Sequence, residues 1–345
     1  LPPHVSRFAP YLSSALETYR AAVRLGFDGA TLSIDLCEDL ALMGRHLEAG
    51  IARARTFNQA LAPTYFTFDV TDYDLLEGSE GNGHPLVVVK EFQPRPLPPF
   101  LEGPVRQMKI SSLQEAQALA NAVRASGLYD QELRLFKVNA SLEGETHEIG
   151  RARAFTPGWL ENESIWMHMS FKYLLALLSR GLFDAFFDVF RDHLPAFMDP
   201  EVYGRSPLEN SSFIVSSVHP DASLHGNGFV ARLSGSTAEF LSMWRLMTVG
   251  EAPFCLEKGE LVMKLAPVLP GWLFAEDGTF SFRFLGSCEV RLINPHRRDT
   301  FGEGFDFEKI RLHKEGETIT LEQTAVIPAP YAEQIRAGEW SRIEC

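Results

Sequence analysis

The hydrophobic period of the chain changes near Gly250, so two kinds of packing must coexist in one polypeptide. Before that point apolar residues recur at helical spacing. Leu16, Tyr19 and Val23 share one side, and Leu36, Leu40, Met43, Leu47 and Ile51 form a longer stripe. Helices are predicted at residues 13–24, 35–61, 112–125, 164–179 and 182–194, and from about 236 to 250. Ser13 or Ser14 and the Ser112/Glu115 pair are the expected N-caps, with Gly26 as a stop. Gly181 divides two helices into a hairpin. Beyond Gly250, residues 260–265, 279–284, 289–293 and 317–321 alternate with period two, punctuated by Gly and Pro as in a sandwich.

One segment breaks the helical first part. Residues 65–71 and 86–89 read as strands, and residues 78–85 read as a mobile loop by composition. Five prolines between Pro94 and Pro104 exclude a continuous helix or a central strand. The expected organisation is a helical part at 1–63, an irregular β-bearing insertion at 64–110, a second helical part at 111–250 and a β-domain at 251–345.

Composition sets limits on function. The chain has 345 residues, of which 45% are apolar and 22% charged, ample for a sizeable core. Its net charge is -13, from 32 Lys+Arg against 45 Asp+Glu, which argues against nucleic acid as a partner. No apolar run approaches the ~20 residues that span a membrane, and Leu1-Pro2-Pro3-His4 lacks a signal-peptide layout. Cys37, Cys255, Cys288 and Cys345 have no zinc-like spacing and fit a reducing compartment. A cytoplasmic location without membrane contact is expected. GxSxG, HExxH, GxGxxG and the Walker loop are all absent from the sequence.

Three segments concentrate chemistry. Residues 157–168 place Trp159, Glu161, Asn162, Glu163, Trp166 and His168 at a turn entering a helix. Trp faces with acids and amides suit a sugar ring. The same residues also read as a helix N-terminus, with Asn162 or Ser164 as cap and Trp166 in the core. Residues 206–217 gather Glu209, Asn210 and several serines, Ser216 among them, which could line a polar pocket or form a capped turn. In residues 225–237, Gly226 and Gly228 allow close approach of backbone to a ligand. Ser234-Gly235-Ser236-Thr237 immediately precedes a helix, where free N–H groups hold anions. Arg232 could add a planar fork. That loop reads equally as a Gly-bearing turn with Ser/Thr capping. Asp35, Glu38 and Asp39 read as a solvated helix start.

The first and third segments resemble glycoside hydrolase family 94, the inverting β-glucan phosphorylases. The family's Gly-x-Lys-Glu-Asn-Gly-Gly-Ile-Phe-x-His stretch is matched from Gly158 to His168 at Gly, Glu, Asn, Ile, an aromatic and His. Its Trp-Leu-Thr-Gly-Thr-Ala is similar to Leu233-Ser234-Gly235-Ser236-Thr237-Ala238, which starts its Ser-Gly 66 residues after His168. The segment from Gly259 to Trp272 is similar too. The resemblance implies phosphate held by His168, Ser234 and Gly235, with Arg232 nearby. It implies a sugar contact at Glu161 on the leaving-group side; the residues' own chemistry adds Trp159 and Asn162, and the polar segment adds Glu209 and Ser216.

The implied fold is an α+β multidomain chain: part of an (α/α)6 barrel with an inserted β-bearing segment, then a C-terminal β-sandwich. The implied activity is phosphorolysis of a β-linked gluco-oligosaccharide to α-glucose 1-phosphate. Inorganic phosphate is the co-substrate, and neither a metal nor another cofactor is expected. The family's general-acid Asp lies in an Asp-Trp-Asn-Asp-like stretch that this sequence lacks, and Leu160 replaces the family's Lys. The chain is therefore expected to be the C-terminal portion of a longer polypeptide whose N-terminal part carries the acid. A related inverting hydrolase or transglycosylase, or a non-catalytic glucan-binding or partner-stabilising fragment, are the alternatives. A homo-oligomer is left open.

Overall fold

Side-chain caps at Asp35, Ser112 and Asp199 fix three of the helix starts. The computed structural model describes all residues but 1–4, 25, 27–30, 32, 80–84, 231–233 and 303–305. It divides into two compact units, Leu1–Gly103 and Pro104–Cys345.

The first unit begins with α1 (Val5–Val23) and α2 (Leu36–Arg55). Ser13 and Ser14 lie inside α1 instead of capping it, because extending a nucleated helix needs only one more hydrogen bond per residue. Asp35 caps α2 by accepting from Glu38 N–H at 2.9 Å. The helix ends six residues before the expected 61, where the Asn58 side chain takes the Ala60 and Leu61 N–H groups at 3.1 and 3.0 Å. The insertion is more regular than expected: β1 (Phe66–Ser79) and β2 (Pro85–Pro96) form one long antiparallel hairpin. Pro94 and Pro96 are tolerated because a two-stranded ribbon has only edges. The mobile-loop expectation for its tip falls largely outside the described residues. Among those described in this unit, Leu61 and Leu101 are the buried apolar side chains, while Leu36, Leu40, Met43 and Leu47 of α2 are exposed.

The second unit holds the dense core. It follows α3 (Glu102–Met108) with α4 (Leu113–Arg124), whose Ser112 and Glu115 form the expected reciprocal capping box. A short hairpin, β3 (Tyr129–Asp130) and β4 (Leu135–Phe136), comes next. Then β5 (Ile165–Trp166) runs directly into α5 (Met167–Ser179). This helix is apolar nearly all round, with Met167, Phe171, Tyr173, Leu174 and Leu177 buried. It forms a hairpin with α6 (Phe183–His193), turned at Gly181 as expected. After α7 (Pro200–Tyr203), β6 (Phe213–Ile214) and β7 (Gly228–Phe229), helix α8 (Ser234–Val249) packs along α5.

From Gly250 onward the period-two segments are strands. One sheet orders β14 (Val326–Ile327), β9 (Glu260–Lys264) and β8 (Phe254–Glu257). The other orders β10 (Thr279–Phe284), β11 (Cys288–Ile293), β15 (Arg342–Glu344), β12 (Lys309–Lys314) and β13 (Glu317–Glu322). Phe254 of β8 stacks on Phe284 of β10 with centroids 6.0 Å apart. Helix α9 (Tyr331–Arg336) lies against β9. The protein is thus a mixed α/β chain with several small sheets. Among the described residues, no helix is long and apolar enough to cross a membrane.

Candidate functional site

Each of the three motif-bearing segments contributes one strand to the same small sheet. β5 comes from the first segment, β6 from the second and β7 from the third, in the order β5-β6-β7. Trp166 pairs with Phe213, and Phe213 with Phe229, so three aromatic rings line up across one face. Trp166 and Phe213 are nearly parallel at 6.1 Å and 5°, and Phe213 and Phe229 lie 5.7 Å apart at 19°. Trp159 closes this face, 5.0 Å from Phe213 and 4.7 Å from Phe229. Phe213 is buried at the centre of this aromatic cluster, while Trp159, Trp166 and Phe229 are partly exposed around it.

The loop carrying Trp159, Glu161 and Asn162 is held in an unusual conformation. Leu160 and Glu163 both have positive φ, 49° and 58°. Such residues cost on the order of 1–3 kcal/mol each and persist only where their surroundings enforce them. Here the enforcement is explicit. Lys137 Nζ donates to Glu163 Oε1 at 2.8 Å, both side chains being under 10% exposed. Asn139 accepts from Glu163 N–H at 2.6 Å and donates to Glu161 O at 2.9 Å. Gly158 has φ 83°, and a Cβ there would lie 2.8 Å from that of His219, so only glycine fits.

His168 opens α5 and meets the start of α8. A Cβ on Gly235 would lie 2.7 Å from His168 Nδ1 and 2.8 Å from Cγ and Cε1, so the glycine backbone lies directly against the imidazole. Glu239, one turn further along α8, places Oε1 3.5 Å from His168 Nε2. Ser236 is fully buried and accepts from Asn210 Nδ2 at 2.6 Å. The first turn of α8 thus stands between a histidine on one side and an asparagine of the second segment on the other.

The remaining predicted residues are placed as follows. Glu161 pairs with the exposed Arg151 at 2.6 Å. Asn162 is buried and donates to Phe155 O at 2.7 Å. Ser216 is fully buried, and its N–H donates to Gly158 O at 3.4 Å. Glu209 stands apart, half-exposed and 3.5 Å from Arg205. Arg232 lies outside the described residues, as does the side chain of Ser234, whose backbone begins α8. Among the described residues, Asn162 Oδ1, Asn210 Oδ1 and Ser216 Oγ are buried acceptors with no hydrogen-bond partner. Buried polar atoms normally have one, and Tyr129 Oη and His313 Nε2, outside these three segments, lack one as well.

The structure corrects some expectations. Neither Asn162 nor Ser164 caps α5; the N-cap is Trp166, with no side-chain bond. Two further residues intervene because Ser164 donates to Leu160 O and so folds back into its own loop. Trp166 is only partly buried, at the edge of the aromatic cluster and not in the core. Gly226 and Gly228 admit this chain's own side chains, not a ligand: Val202 at the first, and Ser211 and Tyr203 at the second. Sequence reasoning missed Lys137, Asn139 and Glu239. Only Glu239 carried a signal, four residues after Gly235 on the same helical face.

No protein-family model matches the chain, and no curated protein matches it. Among the described residues, no group of three or more His, Cys, Asp or Glu side chains is placed to hold a metal ion.

Proposed function

We propose that the chain is a β-glucan phosphorylase component of the family 94 kind, holding inorganic phosphate at the α5–α8 junction and a glucosyl unit on the Trp159 platform. The helical part is then a portion of an (α/α)6 barrel, and the two C-terminal sheets are its β-sandwich. The contact between His168 and Gly235 carries this reading. The first turn of α8 has unpaired N–H groups and the positive end of its dipole. An imidazole N–H beside it adds a charge-assisted donor when protonated. Ser234 supplies the hydroxyl that the resemblance assigns to phosphate.

In the proposed reaction a phosphate oxygen attacks the anomeric carbon as the glycosidic C–O bond breaks. A carboxylic acid on the opposite face delivers its proton to the leaving oxygen. That acid is assigned to residues outside 1–345, since no Asp-Trp-Asn-Asp-like stretch occurs in this sequence. The test is release of glucose 1-phosphate from β-1,2-, β-1,3- and β-1,4-linked gluco-oligosaccharides by the longest product of the gene, alongside phosphate binding to the chain itself. Gly235→Ala and His168→Ala are each expected to weaken phosphate binding at least tenfold. Phosphate binding unchanged by both substitutions would overturn the assignment.

The Glu239–His168 pair favours one second reading. A carboxylate beside an imidazole is also the arrangement of a general base that takes a proton from water. Sugar release that is independent of phosphate and abolished by Glu239→Gln would make the protein a hydrolase instead.

A further inference from the structure

The three-stranded sheet has a second face, and a cleft of about 510 Å³ opens there. Successive residues of a strand point to opposite sides, so Phe213 faces the Trp159 platform while its neighbour Ile214 lines the cleft. Tyr203 packs against Gly228 from the same side and also lines it. The cleft and the Trp159 aromatic cluster therefore lie on opposite faces of β6.

The lining of this cleft is mixed in a specific way. Phe187, Phe197 and Ile214 are apolar, whereas Arg134, Arg191 and Asp192 are charged. Most of the charge is already paired. Arg134 donates to Asp192 at 2.9 Å and to the Asp188 backbone carbonyl at 2.9 Å, and Arg124 donates to Asp188 at 2.6 Å. These bonds hold the Asp188 carboxyl below its usual range, with Arg124 the largest cause, so it stays an acceptor. Arg191 differs. Its guanidinium stacks over Phe197 at 5.3 Å and Trp272 at 5.2 Å, and among the described residues no carboxylate stands within ion-pair distance. Both rings are about 40% exposed and meet edge to face at 6.0 Å.

The chemistry of these walls selects one class of ligand. The carboxylates of Asp188, Asp192 and Asp199 disfavour an anion, and the two arginines disfavour a cation. The parts of Phe187 and Phe197 that Arg191 leaves uncovered take the CH face of a ring. The free donors of Arg191 and the remaining lone pairs of the carboxylates take hydroxyl groups in pairs. We infer that the cleft between α6, α7 and β6, lined by Phe197 and Arg191 with Trp272 packed against both, is a second carbohydrate-binding site for a neutral pyranose unit. It is distinct from the Trp159 platform and stands on its own lining, whether or not that platform performs phosphorolysis. A glucan engaged here would be retained by the protein without being cleaved at this position.

Calorimetric titration of the chain with β-1,2-, β-1,3- and β-1,4-linked glucotetraose, with glucose 1-phosphate as the anionic probe, tests this. At least one neutral tetraose is expected to bind, with affinity reduced at least tenfold by Arg191→Met and by Phe197→Ala. The Phe197-dependent binding is expected to persist in a Trp159→Ala background, in which the contribution of the Trp159 site itself is removed. Phe197 is exposed, so its variant remains folded even if the Arg191 variant does not, which thermal melting checks. Absence of binding by every tetraose, binding indifferent to Phe197→Ala, or loss of the Phe197-dependent binding in Trp159→Ala would each overturn the site. Tighter binding of glucose 1-phosphate than of the tetraoses, lost in Arg191→Met, would overturn its neutral-sugar class.

Discussion

Residues 5–103 and 104–345 are built from similar patterns with opposite outcomes. Helix α2 and helix α5 both present apolar residues at helical spacing, yet α2 has no buried residue and α5 has nine. The two units also each hold a Lys–carboxylate pair. Lys90–Asp74 lies across the hairpin with both partners about half exposed, while Lys137–Glu163 is almost sealed from solvent. An amphipathic pattern states that a face is apolar. It does not state what covers that face, and burial decides what each contact is worth.

The largest effect is expected where charge is buried. Lys137→Met leaves Glu163 unpaired in the interior and should cost about 3–5 kcal/mol in chemical denaturation. It should also release the Glu161–Asn162 loop, seen as new protease sensitivity near Trp159. A loss below about 1 kcal/mol would show that the pair does not hold the loop. Close behind, Leu174→Ala in the centre of α5 should cost about 2–5 kcal/mol, because its side chain is fully buried and the neighbours cannot close the gap.

A third effect depends on pH. His193 is buried against Phe136, with Nε2 accepting from Phe136 N–H and Nδ1 donating to Val189 O. Burial pushes its pKa down to about 4. The unfolded chain takes up this proton near pH 6.5, so below that point unfolding is favoured by proton binding. The stability that His193 contributes is complete above about pH 6.5 and falls as pH drops toward 4, by about 3 kcal/mol at most. Denaturation midpoints at pH 7.5, 6 and 5 should follow this slope, and His193→Gln should flatten it. An unchanged slope in the variant would assign the acid sensitivity to other groups.

The same distinction between pattern and burial governs what the sequence revealed. The change of period at Gly250, the Ser112/Glu115 box and the α5–α6 turn at Gly181 are local, so residues a few positions apart announced them. The meeting of His168 with Gly235 was anticipated only through a resemblance, because residues far apart in sequence come together through the sheet β5-β6-β7. Lys137 and Asn139 gave no signal: a buried lysine and a surface lysine look alike until the fold places them. The N-cap of α5 was misread because Ser164 had a nearer acceptor, the carbonyl of Leu160. The apolar stripe of α2 was legible as a stripe, whereas its exposure was not, because a period of apolar residues does not state what covers it.

The smallest effects are expected in the first unit, and they are the sharpest test of the contrast. Lys90→Met should leave stability unresolved from the parent, because an exposed pair is screened and entropically costly to hold. Leu40→Ala, at a position 57% exposed, should change stability by no more than about 0.5 kcal/mol. Leu40→Ala made beside Leu174→Ala asks the same chemical question of both units, namely what a leucine loses when its side chain is truncated. A cost above about 1 kcal/mol at Leu40 would mean that the α2 stripe is covered in solution, since an exposed side chain has little transfer energy to lose. The first unit would then be a packing surface awaiting its counterpart, and the contrast with α5 would be one of partner, not of pattern.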